Sequence, residues 1–167
     1  LAEEINGQHG YNRALPLLMD VTNHSQIVDA FHQIRLFYGG LDIVISNAGI
    51  APAGIADELP ISDWQNALDV NTTGHFLVSQ EAVRLMKQQE QGGSIVFIGT
   101  KNVPAPGAGF GAYSVSKAAQ VQLARVLAIE NGEFGIRCNV VNPDAIFQGS
   151  NLWSVEMREQ RAKAHGI

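Results

Sequence analysis

The sequence predicts an α/β protein with a doubly wound parallel sheet, three layers deep, on two observations. First, short apolar runs alternate with segments whose apolar residues recur every three or four positions. Alternation with crossovers of that length requires parallel strands with helices packed on both faces. Second, the residues that break the pattern fall where apolar runs end: Asp20, Asn47-Ala48-Gly49, Thr100 and Asn142-Pro143. In open parallel sheets, ligands sit beyond the carboxyl ends of the strands.

The elements follow in order. Ala14–Asp20 is an apolar run ending at an acid and reads as a buried strand. Thr22 or Asn23 offers a cap for a helix over Ser25–Tyr38, where Ile27, Ala30, Phe31 and Ile34 share one face. Gly39-Gly40 ends it. Leu41–Ser46 is a second strand. Ser62-Asp63-Trp64-Gln65 has the pattern of a capping box. The helix it opens runs toward Gln89 and is disturbed at Asn71-Thr72-Thr73-Gly74, all poor helix formers. Ser94–Ile98 is a third strand. A Pro- and Gly-rich loop then leads to a helix from Ala112 to Glu133, a strand over Arg137–Val141 and a short polar helix at Ser154–Ala164.

Composition limits the function. The 167 residues are 46% hydrophobic and 16% charged, a globular balance suited to one domain. A formal charge of −5 with no basic run argues against nucleic acid as a partner. No apolar stretch is long enough for a bilayer, and no signal-peptide pattern opens the chain. The single cysteine, Cys138, sits in a strand pattern and reads as core; with no internal disulfide to form, a cytoplasmic location is expected. The five histidines show no helical ligand spacing, so no metal site is expected.

Tyr113-Ser-Val-Ser-Lys117 opens a helix, and a spacing of four puts phenol and ammonium on one face. A free phenol is a poor base at neutral pH. A neighbouring ammonium and the helix amino terminus both favour the phenolate. Such a pair suits proton removal from an alcohol or proton return to a carbonyl. An isolated Tyr-x-x-x-Lys carries almost no specificity, however, and on its own reads as an ordinary helix start with a partly buried tyrosine.

Context changes that reading. Asp20-Val21, Asn47-Ala48-Gly49, Asp69-Val70-Asn71, the Gly-Ser-Ile-Val strand and Tyr113-x-x-x-Lys117 occur in one order and at consistent intervals. From about Ala14 to Phe147 the chain resembles the short-chain dehydrogenase/reductase family. The resemblance implies an NAD-dependent oxidoreductase, NADP not being excluded. It makes Tyr113 the general acid/base and Lys117 the ribose-holding, phenolate-favouring cation. Asn71 would support a proton-relaying water. It places Asp20 and Val21 against the adenine, and Asn47, Ala48 and Gly49 along the cofactor. Pro143, Asp144 and Ile146 also lie against the cofactor by resemblance. A homodimer or homotetramer is implied, through the helices at Ile61–Gln89 and Ala112–Glu133.

Three positions depart from the family pattern. Thr100 stands where serine is usual; its hydroxyl keeps the donor while its methyl narrows the pocket. Asp144 replaces a glycine and could contact substrate hydroxyls or cap the turn. Gln148 stands where a threonine often touches the carboxamide. With Ile98–Asn102, Asn142–Ala145, Gly149-Ser150 and Trp153, these residues resemble the dehydrogenase half of proteins that fuse an aldolase to a short-chain dehydrogenase in rhamnose breakdown. That implies lactaldehyde as substrate and an aldolase domain in the parent chain. By the same resemblance the first two strands, the glycine-rich turn and the last strand are absent, so residues 1–167 form a partial domain. A gap should open beside Leu41–Ser46, and the segment alone should neither fold nor hold a dinucleotide well.

Overall fold

The computed structural model describes residues 1–11, 13–146 and 154–165. Its strands are β1 (Ile43–Ser46), β2 (Gly93–Ile98) and β3 (Ile136–Val141), parallel and adjacent in that order. The register pairs Val44 with Ile95 and Ile95 with Cys138. Helix α1 (Ala2–His9), which the sequence reading lacked, precedes α2 (His24–Tyr38). Between β1 and β2 lie α3 (Ile61–Leu68), a π-helical turn (Asp69–Gly74) and α4 (His75–Gln89). Helix α5 (Gly111–Asn131) joins β2 to β3, and α6 (Val155–His165) follows.

Helix ends have identifiable causes. Asn23 caps α2 by accepting from the Gln26 N–H at 3.2 Å. Gly39, left-handed at φ 82°, closes it with an N–H bond to the Arg35 carbonyl. The expected capping box at Ser62 does not form. Helix α3 starts after Pro60 with no side-chain cap, because the helix begins two residues early and Ser62 already lies inside it. The disturbance expected at Asn71–Gly74 is the π-helical turn.

Alternation along each strand sends Ile95 and Phe97, both fully buried, to one face with Val44, Cys138 and Val140. There they meet Val78, Ala82, Leu85 and Met86 of α4 and Ala124 and Leu127 of α5. Ile27 and Phe31 of α2 complete this core. Burial stabilises by about 1.5–3 kcal/mol for each large apolar side chain. Cys138 belongs to this packing, and burial raises its thiol pKa to about 11, which keeps it protonated. The opposite sheet face is bare: Ile43 and Ile45 are 62% and 66% exposed. Of the expected three layers, the described residues supply two.

Residues 14–20 form no strand, contrary to expectation. A strand exists by pairing, and no strand among the described residues pairs with this segment. Leu15 and Leu17 instead face Leu41, Ile43 and Gln89 across a cleft of about 990 Å³. The free edge of β1 opens into that cleft. Gln89 closes the base of β1, accepting from the Leu41 N–H and donating to the Leu41 carbonyl.

The turn entering β2 is tightly constrained. Gly92 has φ +71°, and a Cβ there would lie 2.5 Å from the Gly135 carbonyl oxygen. Both backbone strain and collision oppose a side chain. Gly92→Ala should therefore lower stability by about 2 kcal/mol or more, read as a lower urea midpoint of the full-length protein. An unchanged midpoint would show that the turn relaxes freely.

Candidate active site at the strand carboxyl ends

Four segments converge beyond the sheet: the turn after β1, the loops after β2 and β3, and the first turns of α5. Asn71, fully buried in the π-helical turn, ties two of them together. Its Oδ1 accepts from the Ile50 N–H at 2.9 Å, and its Nδ2 donates to the Ile50 carbonyl at 2.8 Å. Nδ2 also donates to Ser116 Oγ, which itself donates to the Tyr113 carbonyl. A π turn widens the helix by one residue, and the Thr72 hydroxyl bonds the Ser116 carbonyl of α5. The pattern-breaking residues near Asn71 thus dock the β1 turn onto α5.

Tyr113 and Lys117 lie one turn apart on α5, as their spacing requires. Lys117 is 4% exposed, and its Nζ donates to the Ile98 carbonyl at the end of β2. Burial lowers its pKa to about 8. It remains mostly charged at neutral pH yet gives up a proton readily. Tyr113 is half-buried, packed edge-on to Phe110, and its hydroxyl has no hydrogen-bond partner among the described residues. Gly49 brings the β1 turn against this pair. A Cβ at Gly49 would lie 3.3 Å from Asn71 Oδ1 and 3.4 Å from Lys117 Nζ. Asn47, Ala48 and Gly49 are exposed at the mouth.

Thr100 is nearly buried after β2. Its N–H donates to Asn142 Oδ1, and its Oγ1 accepts from the Asn102 N–H. Accepting there leaves the hydroxyl hydrogen available for donation. Both expected roles, backbone satisfaction and donation, are therefore compatible. A Cβ on Gly99 would lie 2.2 Å from Asn142 Oδ1, so only glycine lets Asn142 reach across. Asp144 receives the Ala145 N–H at 2.7 Å and pairs with Lys101 Nζ at 3.0 Å. It caps its turn, and Lys101 is engaged across the two loops. Pro143 receives the Lys101 N–H.

Asp20 is exposed and accepts from both the N–H and the hydroxyl of Thr22, which lower its pKa. Val21 packs against the π-helical turn, where a Cβ on Gly74 would lie 2.9 Å from its Cγ2. Ile146 is exposed beyond the β3 loop. Gln148, Gly149, Ser150 and Trp153 lie outside the described residues.

Among the buried polar residues that the sequence reading missed, Ser46, His75, Ser116 and Gln120 bond one another or the site. His75 Nδ1 lies 2.7 Å from Ser46 Oγ, and its Nε2 lies 2.9 Å from the Ala48 carbonyl oxygen. The signal was available. His75 follows Asn71 by four on the stripe that continues through Val78, Ala82 and Leu85, and a polar residue on a buried stripe needs partners.

Fold and site define a parallel-sheet α/β protein whose polar residues gather at the strand carboxyl ends around a Tyr–Lys pair. The short chain dehydrogenase profile matches residues 1–157. The chain belongs to that family. It is 47% identical, over all 167 residues, to the uncharacterized oxidoreductase YuxG of Bacillus subtilis (strain 168), of which it covers 24%. It is 33% identical over 152 residues to 2,3-dihydro-2,3-dihydroxybenzoate dehydrogenase of Escherichia coli (strain K12), covering 89% of this chain and 61% of that one. Sorbitol-6-phosphate 2-dehydrogenase SrlD from Erwinia amylovora superposes with a TM-score of 0.85 at 27% identity, covering 99% of this chain and 64% of that one. The chain thus spans from a quarter to under two thirds of these relatives. No described helix is long and apolar enough to cross a membrane, and no described cluster of ligating residues could hold a metal ion.

Burial, followed by the charge of Lys117, lowers the His75 pKa from 6.5 to about 4. The ring is neutral in the folded state and must be protonated in the unfolded state below pH 6.5. Stability carried by the neutral ring is complete above 6.5 and falls as pH drops toward 4, by on the order of 3 kcal/mol. Urea midpoints of wild type and His75→Gln across that window measure it. Wild type should lose the larger share; parallel losses would contradict the assignment.

Proposed function

We propose that this chain is the catalytic segment of an NAD(P)-dependent oxidoreductase. It moves a hydride between nicotinamide and a small hydroxy or aldehyde substrate. The observation that carries this reading is the Tyr113 hydroxyl, without a hydrogen-bond partner among the described residues and one turn from buried Lys117, whose Nζ lies against the open Asn47–Gly49 turn. The residues fit the cofactor: an exposed turn ends in a glycine whose N–H bonds no described residue, with a buried ammonium next to it. Asn47, Ala48, Gly49 and Lys117 would hold it, with Asp20, Val21, Pro143, Asp144 and Ile146 around it. When bound, the nicotinamide supplies the hydride acceptor or donor.

The chain's own residues handle the proton. Tyr113 Oη removes it from the substrate hydroxyl in oxidation and returns it to the carbonyl oxygen in reduction. Lys117 Nζ holds positive charge beside the phenolate, and Asn71 fixes the peptide that faces a relaying water. The Thr100 hydroxyl donates to the substrate oxygen.

Lactaldehyde is the proposed substrate, oxidised as its hydrate. The gem-diol would present an alcohol to Tyr113, which would take its proton; a bound nicotinamide would supply the hydride acceptor, and the product would be the acid. The pairing of Lys101 with Asp144 supports an uncharged substrate over a phosphorylated one. The relative YuxG, of which this chain covers 24%, runs to roughly 700 residues, several times one such domain. That length leaves room for a fused second domain, and an aldolase is proposed there. Exposed Ile61, Phe76, Val115 and Ile129 on α3, α4 and α5 support assembly as a homodimer or homotetramer.

Tyr113→Phe in the full-length protein should cut turnover of lactaldehyde by about 10²- to 10⁴-fold while cofactor binding, followed by NADH fluorescence, persists. Turnover unaffected by the substitution would refute the mechanism. A wild-type preference for sugar alcohols or ketones over lactaldehyde would overturn the substrate and leave the reaction class standing.

A further inference from the structure

His75 is a fully buried titratable group with no part in proton transfer as described above, yet it sits directly behind the cofactor-facing turn. Its surroundings fix its state. The Ala48 carbonyl oxygen can only accept, so Nε2 carries the hydrogen. Nδ1 is then an acceptor and receives the Ser46 hydroxyl at 2.7 Å. Gln120 Nε2 lies 3.0 Å from Nδ1 and 3.1 Å from Nε2. Near-equal distances to both nitrogens put the amide over the ring, since an in-plane approach would collide with the carbon between them. Phe97 meets the ring edge-to-face, with centroids 5.4 Å apart. The imidazole is thus clamped by β1, β2 and α5, with one hydrogen bond leaving the clamp, to Ala48.

That bond has a geometric consequence. The Ala48–Gly49 peptide is trans, as are all peptides among the described residues. Its carbonyl and N–H therefore point in opposite directions. Drawing the Ala48 carbonyl inward onto His75 turns the Gly49 N–H away from the ring. No described group accepts from that N–H. On the reading of this site as a nicotinamide-binding one, we propose that His75 is a positioning residue. As a neutral Nε2–H tautomer it pins the Ala48 carbonyl and so presents the Gly49 N–H as a hydrogen-bond donor to the bound cofactor. Gln120 carries the same register to α5, three residues after Lys117, at the expense of its own Oε1, which is buried without a partner among the described residues. Ser46 donates to Nδ1 and so completes the tautomer that the Ala48 carbonyl sets.

Two measurements on the full-length protein test this. His75→Phe keeps a ring against Phe97 and removes the donor, whereas His75→Gln keeps a donor. The expectation is that the dissociation constant for NADH, from its fluorescence, rises about tenfold in His75→Phe and recovers most of the way in His75→Gln. An unchanged constant in a folded His75→Phe, or an equal loss in both variants, would overturn the proposal. Imidazole ¹⁵N shifts of the wild type at pH 7 provide the second test, independent of how any variant folds. Protonation at Nε2 alone supports it, while protonation at Nδ1 or at both nitrogens refutes it. Absence of NADH binding to the wild type would sink the nicotinamide reading itself. Binding that is indifferent to His75 would sink only this inference.

Discussion

The pair of hydrogen bonds between the Asn71 amide and the N–H and carbonyl of Ile50 is the constraint on which the site depends. The turn after β1 is exposed and has no strand partner to define it. Asn71 supplies what a strand would have supplied, one donor and one acceptor, from a fully buried position. It can do so because the chain widens into a π-helical turn there. A regular helix would place that side chain differently relative to α5 and to the Thr72–Ser116 bond. A local loss of helical regularity is thereby exchanged for a fixed relation between the cofactor-facing turn and the helix of Tyr113 and Lys117.

The same economy recurs around the site. Lys117 satisfies the last carbonyl of β2, Asn142 satisfies the Thr100 amide two residues beyond it, and His75 satisfies the Ala48 carbonyl. Each is a side chain finishing a backbone bond that the sheet cannot make at its carboxyl edge. The polar groups that hold the turns in place also set the local charge. Lys117 helps keep His75 neutral, and burial lowers the pKa of Lys117 itself to about 8. Glycines mark where segments approach most closely: Gly49 against Asn71 and Lys117, Gly99 against Asn142.

Much of this was legible in the sequence. Three strands, the main helices, the break at Asn71–Gly74 and the one-turn spacing of Tyr113 and Lys117 follow from periodicity and propensity. The segment at Ala14–Asp20 was misread because an apolar run signals burial, whereas a strand requires a neighbour that the sequence of the run does not specify. Ser62 misled because a capping pattern says nothing of whether a helix starts earlier, after a proline. Helix α1 carries no buried residue and so no periodic signal. His75 signals its burial by breaking an apolar stripe, but its partners Ser46 and Gln120 lie far away in the chain, and only the packing of α4 and α5 on one sheet face brings the three together. The role of Asp144 was open between two readings, and its bonds to Lys101 and Ala145 come from loop geometry that composition does not encode.

The most direct test of the central constraint is amide hydrogen exchange at Ile50 in the full-length protein. An N–H in an exposed turn would ordinarily exchange at nearly the free-peptide rate. If Asn71 holds it, the Ile50 N–H exchanges slowly in wild type. In Asn71→Ala that protection disappears while Ile95 and Phe97 in β2 stay protected. Fast exchange at Ile50 in the wild type, or protection that survives loss of the Asn71 amide, would contradict the role given to this residue.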